Sequence, residues 1–453
     1  MKKMMAMLLA STMLIGLTAC GSSETTTEPA QTTEASGNES SGETAGDKPY
    51  AGTTISVLGN SSPASSYMQS HLDEFTAETG IEVEYEQLTN DQLNSKILVS
   101  MAAGGKDLDV FMYMAYQNTN QYVQNGWLEP LNEYFADDAE FDIDDFMKGG
   151  IDASSVDGTL YGIPHGSEYS ILFYNKTMIE EAGIDVAAIK TYDDLIAACK
   201  TVEEELDGVH GIALRGQGNG AATMVINCAR AYGGDYMDAD GNAAINSDAY
   251  CRGVEVYREL LQYAQEGAST MSWSETCNVF AQKQTAFRMD SDAQYGYLID
   301  PASSLVKEEE LGFLPMPAGD VCASTTLGNW SVGMSYGSEN KGAAWEFIRW
   351  MNTKEACLQA AVEQTAQPAR ISAWESEEIE NVYPEGFAET TIQSGAIAGS
   401  GPLPNMIYSS EARTAIGEAY DAIFAGGDIK SNMDKANTIM QELIDQEAEE
   451  AAK

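Results

Sequence analysis

The spacing of hydrophobic and polar positions near the start of the chain predicts strands that alternate with helices. Three short runs have the β-branched or alternating pattern of strands, namely TTISVLGN (53–60), IEVEYEQL (81–88) and LDVFMYM (108–114). The two segments between them have apolar residues at helical spacing, and the first of them ends at Gly80. This order predicts a parallel α/β sheet, in which ligands bind beyond the carboxyl ends of the strands, here the loops at 60–66 and 114–118.

The second half of the chain continues this alternation and then becomes helical. A strand that runs into a helix is predicted for YSILFYNKTMIEEAGI (169–184), and Thr191 is placed to cap the helix of TYDDLIAACKTVEE (191–204). From Glu339 onward the pattern is largely helical and ends in a charged helix. The chain therefore has the pattern of an α/β protein with a helical C-terminal part.

The first fifty residues have a different pattern. Two lysines precede about fifteen apolar residues, which is the layout of a secretory signal over residues 1–19 and too short a run to span a membrane. The sequence LTAC at 17–20 resembles the lipobox of bacterial lipoproteins, in which the cysteine becomes the lipid-carrying first residue. Residues 20–50 have few apolar side chains, so a flexible linker is expected there. We therefore expect export and a lipid anchor at Cys20.

Charge and cysteine content narrow the classes of partner. The chain has 453 residues and a formal net charge of −46, which repels nucleic-acid phosphates and anionic lipid headgroups. Its length exceeds what one compact core usually holds, so two lobes are expected. Besides Cys20 there are six scattered cysteines, and only three histidines. We therefore predict no metal site and no cofactor, and expect most of these cysteines to be small buried residues, with one or two disulfides left open.

Nine phrases occur in the order that one family of proteins has them. They are FTAETGIEVEYE, LDVFMY, QNGWLEPLNEYF, DGTLYGIPHGSEYSILFYNKTMIEEAGI, TYDDLIAACK, FAQKQTAF, GFLPMPAG, NKGAAWEFIRWM and PARISAW. With these phrases, the chain from about Thr53 to the C-terminus resembles the extracellular solute-binding proteins of ATP-driven sugar importers, the family that includes the maltose-binding protein. The resemblance implies an α/β fold of the periplasmic-binding-protein type II class, with two lobes and a ligand cleft between them.

The resemblance also implies how the chain is divided. The expected segments are a signal peptide at 1–19, a lipid-anchored linker at 20–50, a first lobe at 51–164 with a return at 293–336, a second lobe at 165–292, and a helical part at 337–453 that belongs mainly to the second lobe. The crossings between lobes are expected near HGSEYSI (165–171) and FRMDSDAQ (287–294). Closure of such a cleft is a hinge motion that a ligand stabilises through contacts with both lobes.

The implied function is that of a monomeric receptor outside the cell membrane, and not that of an enzyme. The receptor is expected to capture a mono- or oligosaccharide and to deliver it to the permease subunits of an ABC importer. Two alternatives stay open, a receptor for a non-sugar solute and a secreted glycoside hydrolase, which needs two carboxylates about 5–10 Å apart. The sequence contains no G-x-S-x-G, H-E-x-x-H or phosphate-loop motif. A surface adhesin is disfavoured, because adhesive modules are usually repeated β domains and this chain has a two-lobed α/β pattern.

Sugar binding needs flat apolar faces for the C–H side of a pyranose ring and planar polar groups for its hydroxyls. Candidate contacts on the expected loops and crossings are Tyr113, Tyr116, Glu168, Tyr169, Trp273, Asp290, Asp292, Trp330, Arg370 and Tyr408. The resemblance includes the YNK motif at 174–176. Alignment on this motif places Glu168 where the maltose receptor has a ligand-binding acid.

Each candidate also has a structural interpretation. A core position is the alternative for the aromatic side chains, a solvated hinge acid for Glu168, and an ion pair for Arg370. Asp109 is expected to be buried and to hold a turn. Residues 221–231 lack the aromatic that stacks on sugar in the maltose receptor, which disfavours maltose, and Tyr408 is the expected substitute.

Overall fold

A computed structural model describes residues 48–136, 138–399 and 401–451. The predicted signal peptide, nearly all of the predicted linker and the predicted lipid-carrying Cys20 lie outside these residues. Within the described part of the chain, no helix is both long enough and apolar enough to cross a membrane.

The described residues form ten strands and eighteen α-helices. The strands are β1 (Thr54–Asn60), β2 (Glu82–Leu88), β3 (Val110–Met114), β4 (Ser155–Val156), β5 (Thr159–Leu160), β6 (Ile163–Asn175), β7 (His210–Ala213), β8 (Thr285–Ser291), β9 (Leu311–Pro315) and β10 (Leu327–Met334). The helices are α1 (Pro63–Ser70), α2 (Leu72–Thr79), α3 (Asn90–Ala102), α4 (Ala115–Gln124), α5 (Asn132–Phe135), α6 (Lys148–Ala153), α7 (Lys176–Glu181), α8 (Tyr192–Glu205), α9 (Gly218–Ala231), α10 (Asp248–Leu260), α11 (Trp273–Ala281), α12 (Tyr295–Ile299), α13 (Lys341–Met351), α14 (Lys354–Gln364), α15 (Ile371–Trp374), α16 (Phe387–Ala396), α17 (Ser409–Phe424) and α18 (Ile429–Ala451).

Eight of the strands form one mixed sheet in the order β2-β1-β3-β10-β6-β8-β7, with β9 also paired to β6. The three strands predicted near the start of the chain are confirmed, and β1 pairs in parallel with both β2 and β3. Strand β10 returns antiparallel between β3 and β6. The predicted α/β class is therefore confirmed, with an antiparallel centre that joins the two halves of the sheet.

The long strand β6 carries the chain from one lobe to the other. Its first part, up to Tyr169, pairs with β10, whereas residues 170–175 pair with β8 and β9. The first lobe has one apolar core that includes Val57, Phe111 and Phe347. The second lobe has a core on each face of its strands. The two predicted crossings correspond to β6 and to the end of β8.

Two segments lie elsewhere than the expected division places them. Strand β9 was expected in the return to the first lobe that begins at residue 293, but it pairs with the second-lobe part of β6, and the chain re-enters the first lobe only along β10. Helix α13 was expected mainly with the second lobe, but its Phe347 packs against Phe75 of α2 in the first-lobe core. Both differences arise from pairings between residues far apart in sequence.

Local capping sets several helix boundaries. The Thr191 hydroxyl accepts the N–H of Asp194, whose carboxylate accepts the backbone N–H of Thr191, so α8 begins with the predicted cap. The first predicted helical segment, which ends at Gly80, is two helices, α1 and α2, because His71 between them leaves the helical conformation. The ring Nδ1 of His71 lies 2.9 Å from the Tyr67 carbonyl oxygen. Asp109 is buried, as predicted, and its carboxylate accepts the Ser56 N–H of β1.

The six cysteines within the described residues are free thiols. Cys199, Cys228, Cys277 and Cys357 are buried, as expected for small apolar residues, and Cys251 is half-buried. Cys322 is exposed, which the sequence did not predict. None of these six is placed in a disulfide.

Candidate functional site

Two cavities lie on opposite faces of the crossing strand β6. A small cavity of about 130 Å³ is lined by Glu168 and Trp330, and a large cavity of about 800 Å³ is lined by Tyr169 and Leu327. Directly opposed residues of antiparallel strands share a face. Leu327 lies opposite Tyr169, and the next residue, Gly328, lies opposite Glu168. The strand register therefore directs Glu168 and Tyr169 into different cavities.

The small cavity gathers loops from separate parts of the chain. It is lined by Ser62–Ala64 from the loop after β1, by His165–Glu168 of β6, by Ala293, by Trp330 of β10 and by Thr365–Gln367 after α14. The β1–α1 loop is one of those that the sequence placed at the ligand edge. The cavity thus has an aromatic wall and a carboxylate at the floor between the lobes.

Glu168 connects the two crossing strands. Its Oε2 accepts a hydrogen bond from the Ser291 hydroxyl at the end of β8, 2.5 Å away. Burial raises the pKa of Glu168, and the positive charge of Arg215 opposes that rise. A carboxyl group with a raised pKa beside a cavity is a candidate for ligand binding.

Arg215 brings hydrogen-bond donors to the second-lobe side of this site. It lies between β7 and α9, and its Nε donates to Asp290 Oδ2 at 2.9 Å while its Nη2 bonds Asp290 Oδ1. Its Nη1 donates to Thr223 Oγ1 at 3.2 Å. These bonds use three of the five guanidinium N–H groups. The remaining two have no bond partner among the described residues, so Arg215 retains donors for a ligand.

Asp290 is the fixed centre of this network. Its side chain is fully buried, and Arg288 Nη2 lies 2.9 Å from its Oδ2. Gln294 Nε2 donates to its Oδ1, also at 2.9 Å. Burial by itself would raise the pKa of Asp290, but the charges of Arg215 and Arg288 outweigh burial and lower it. Asp290 therefore acts through Arg215, which it neutralises and orients, and it does not face a cavity.

Tyr116 and Trp330 approach the site from the first lobe. Tyr116 is half-buried in the first turn of α4 and lines the large cavity. Burial raises its pKa, and the neighbouring Glu168 carboxylate raises it further, so its hydroxyl lies within electrostatic reach of that carboxylate. Trp330 lies opposite Gly166 on β6, two residues from Glu168 and on the same face. Of the predicted residues, Glu168 and Trp330 line the small cavity, Tyr116 and Tyr169 line the large one, and Asp290 bonds Arg215.

Two other predicted contacts lie in the interior near the crossing. Tyr113 is fully buried in the first-lobe core between Phe111 and Tyr122, which corresponds to its core alternative. Asp292 is fully buried and accepts the Tyr169 backbone N–H at 2.8 Å, so it holds the crossing instead of facing a cavity. Burial raises the pKa of Asp292 well above its usual value.

Arg370 and Tyr408 line neither of the two cavities, and each has other bond partners. The buried guanidinium of Arg370 pairs with Asp145 at 3.1 Å and donates to the carbonyl groups of Phe141, Asp142 and Asn352. Arg370 therefore forms an ion pair, which is the alternative given for it in the sequence analysis.

The Tyr408 hydroxyl donates to Glu450 at 2.6 Å and accepts from Gln446 at 2.7 Å, both on α18. It is thus bonded to the terminal helix and does not take the place of a stacking aromatic on α9. Trp273 is exposed at the start of α11 and lines neither cavity.

Arg215 is a candidate ligand-binding residue that the sequence analysis missed. It follows the apolar run GIAL (211–214), at the carboxyl end of β7, and precedes the glycine-rich start of α9. A polar side chain just beyond a strand end is the signal that could have identified it. In residues 48–136, 138–399 and 401–451, no three His, Cys, Asp or Glu side chains are grouped to hold a metal ion.

Comparison with known proteins identifies the class. Residues 59–356 match the family model of the bacterial extracellular solute-binding proteins. An erythritol/L-threitol-binding protein of Mycolicibacterium smegmatis is 29% identical over 72% of this chain and 72% of its own length. A probable amino-acid ABC transporter periplasmic-binding protein of Sinorhizobium fredii is 26% identical over 85% of this chain and 90% of its own length.

Solved structures share the fold. A solute-binding protein of Agrobacterium radiobacter K84 in complex with ribitol has a TM-score of 0.75 at 22% identity, and covers 87% of this chain and 100% of its own. A maltose-bound protein of T. maritima has a TM-score of 0.74 at 20% identity, with coverages of 86% and 100%. The chain therefore belongs to the bacterial extracellular solute-binding protein family and has the two-lobed fold of periplasmic binding proteins.

Proposed function

We propose that this protein is a lipid-anchored receptor that captures a carbohydrate outside the cell membrane and delivers it to the permease of an ABC importer. The observation that carries the proposal is the set of groups at the crossing: Glu168, an acceptor, lines the small cavity with the aromatic Trp330, and Arg215, a donor, lies near enough for its charge to oppose the rise in the pKa of Glu168. Hydroxyl groups both donate and accept, so a polyhydroxylated ligand matches such a pair.

The charge of the site favours a neutral ligand. Asp290 already neutralises Arg215, with which it shares two hydrogen bonds. A ligand carboxylate at this position would therefore compete with a buried carboxylate for the same guanidinium. Relatives that bind erythritol or threitol, and fold neighbours that hold ribitol or maltose, support a polyhydroxylated ligand. The relative assigned to amino acids keeps a non-sugar solute as the second candidate.

A thermal-shift screen of the purified chain tests the ligand class. Mono- and oligosaccharides and linear polyols are added at millimolar concentration, and a ligand at a thousandfold excess over its Kd stabilises the protein by about 4 kcal/mol. The hit is then titrated by calorimetry against Glu168→Gln and Arg215→Met, with the exposed Glu266→Gln as the matched control. The two site variants are expected to lose binding and the control to keep it.

The contrary outcomes are specific. Stabilisation by amino acids and not by any sugar or polyol would replace the proposed ligand with a non-sugar solute. Release of smaller sugars from an oligosaccharide, measured by chromatography, would favour the glycoside hydrolase alternative.

The anchor and the partner are tested in cells. We propose that Cys20 carries lipid, that residues after it tether the receptor to the outer face of the membrane, and that the receptor is a monomer. Cys20→Ala is expected to abolish incorporation of labelled palmitate and to release the protein into the medium, whereas Cys322→Ala is expected to change neither. Retention of Cys20→Ala in the membrane fraction would contradict lipid anchoring at this residue.

A further inference from the structure

Two large aromatic side chains lie exposed beside each other on the second lobe. Trp273 is 43% exposed and Tyr297 is 61% exposed. Their ring centroids are 5.9 Å apart and their planes are inclined by 53°. Neither ring is part of an apolar core of the described residues, and two adjacent exposed aromatic rings offer a flat apolar surface to a ligand.

The pair adjoins the side of the site that holds Arg215. The backbone N–H of Gln217, two residues after Arg215, donates to the Met271 carbonyl at 3.1 Å. A methyl group built on Gly220 would lie 3.7 Å from both Arg215 Cδ and Ser272 Cα. The Arg215 side chain and the Ser272 backbone therefore lie on either side of Gly220, each at van der Waals distance from that point. Trp273 is the residue after Ser272.

Helix α12 brings Tyr297 to the same place. The helix begins at Tyr295, directly after the turn of Asp292–Gln294 that ends the crossing strand β8. Ala293 in this turn lines the small cavity. Trp273 thus begins the helix whose cap residue, Ser272, lies near Arg215, and Tyr297 lies on the helix that follows the turn at the floor of the site.

The positions of both rings are fixed by their helices. The Ser272 backbone N–H and hydroxyl both donate to Glu275, which closes a capping box at the start of α11 and lowers the pKa of Glu275 to about 2. On α12, buried Tyr295 and Leu298 anchor the helix on either side of Tyr297. The aromatic surface is therefore preorganised, so little conformational entropy is lost when it binds.

We infer that Trp273 and Tyr297 form an outer subsite that stacks a second sugar ring, so that the ligand is an oligosaccharide of at least two rings. This inference rests on the proposed function, because it assigns the first ring to the Glu168 and Arg215 site. A pyranose presents a flat C–H face that packs on an aromatic ring, whereas a linear polyol has no such face. Because the aromatic pair adjoins the Arg215 side of the site, the group expected on it is the next ring of the same sugar ligand.

Calorimetry with ligands of increasing length tests the subsite. The probes are mannitol and ribitol, the monosaccharides glucose, mannose, xylose and arabinose, and their linear oligosaccharides of two to four units. Trp273→Ala and Tyr297→Ala are each expected to weaken oligosaccharide binding about two- to tenfold, which corresponds to about 0.5–1.5 kcal/mol per stacked ring. Their affinity for the matching monosaccharide is expected to change less than about twofold.

Controls separate stacking from folding. Tyr336→Ala removes an aromatic of the first lobe that is 59% exposed, and it is expected to bind every probe as the unaltered protein does. Trp273→Phe retains an aromatic face and is expected to restore most of the oligosaccharide affinity. The melting temperatures of the ligand-free variants are expected to agree within about 2 °C, because both rings are exposed.

The outcomes distinguish this inference from the proposed function. Unchanged oligosaccharide affinity in Trp273→Ala and Tyr297→Ala overturns the outer subsite, and the receptor function stands if Glu168→Gln still loses binding. Binding of mannitol or ribitol with no gain from added rings also overturns the subsite alone. Absence of binding to every polyhydroxylated probe overturns the subsite and the proposed carbohydrate function together.

Discussion

Replacing Asp290 with asparagine removes one negative charge from between a fully buried cation, Arg288, and a half-buried one, Arg215. Asn retains the size of the side chain but does not compensate the charges of Arg215 and Arg288. Arg288 is the more affected, because it is fully buried and its Nε and Nη1 have no hydrogen-bond partner. The variant therefore leaves an uncompensated cation in the interior.

The expected loss follows from the cost of breaking a buried ion pair. Removing one partner of such a pair costs about 3–5 kcal/mol. Unfolding entropy near 60 °C is about 2.1 cal/mol/K per residue, or about 0.8 kcal/mol/K for about 400 residues. The melting temperature of Asp290→Asn is thus expected to fall by about 4–6 °C.

Urea unfolding followed by circular dichroism measures the free energy of unfolding. Asp207→Asn is the matched control, since Asp207 is exposed and its carboxylate has no bond partner among the described residues, and its change is expected to stay within about 0.5 kcal/mol. Arg288→Met in the Asp290→Asn background removes the stranded cation and is expected to recover part of the loss. A loss below about 1 kcal/mol in Asp290→Asn would refute the dependence of both guanidinium groups on this carboxylate.

Three further predictions concern separate features. Burial raises the pKa of Glu168 above its usual 4.5, so the folded state loses stability as the pH rises from the unfolded to the folded pKa. Glu168→Gln is therefore expected to melt above the unaltered protein at pH 7 and level with it near pH 4, about where the unfolded carboxyl is protonated; a lower melting temperature at pH 7 would contradict this. Thr191→Ala removes the cap of α8 and is expected to cost about 1 kcal/mol in urea unfolding, with Thr191→Ser retaining the cap. Peptide mapping after brief iodoacetamide treatment is expected to find Cys322 labelled before buried Cys199, and equal labelling would contradict their burial.

Local patterns account for much of the fold. A period of two predicted β2, whose alternate residues differ in burial, and short apolar runs predicted β1 and β3, which are largely buried on both faces. Helical spacing predicted the helical segments between the strands, although the first of them is two helices. The position of β9 could not be obtained in this way. Its sequence, LGFLP, fits a strand of either lobe, and its pairing with residues 171–175 of β6 depends on tertiary packing.

The candidate site shows the same limit. Tyr113 and Tyr116 are three residues apart, yet the first ends in the core and the second lines a cavity, because β3 gives way to α4 between them. The partners of Arg370 include the carbonyl groups of Phe141 and Asp142, more than 200 residues away in sequence. The sequence identifies side chains whose chemistry suits sugar binding. It does not show which of them bond distant residues and so do not line a cavity.

The register between β6 and β10 decides which of these side chains meet. Gly328 lies opposite Glu168, and a methyl group at Gly328 would lie 2.8 Å from Glu168 Cγ. The absence of a side chain there leaves room for the carboxylate between the strands, and Trp330 follows on the same face. A slip of one residue would turn Trp330 to the opposite face of the sheet and place a side chain against Glu168. The pairing of acid and aromatic thus depends on a glycine whose importance is visible only once the two strands are aligned.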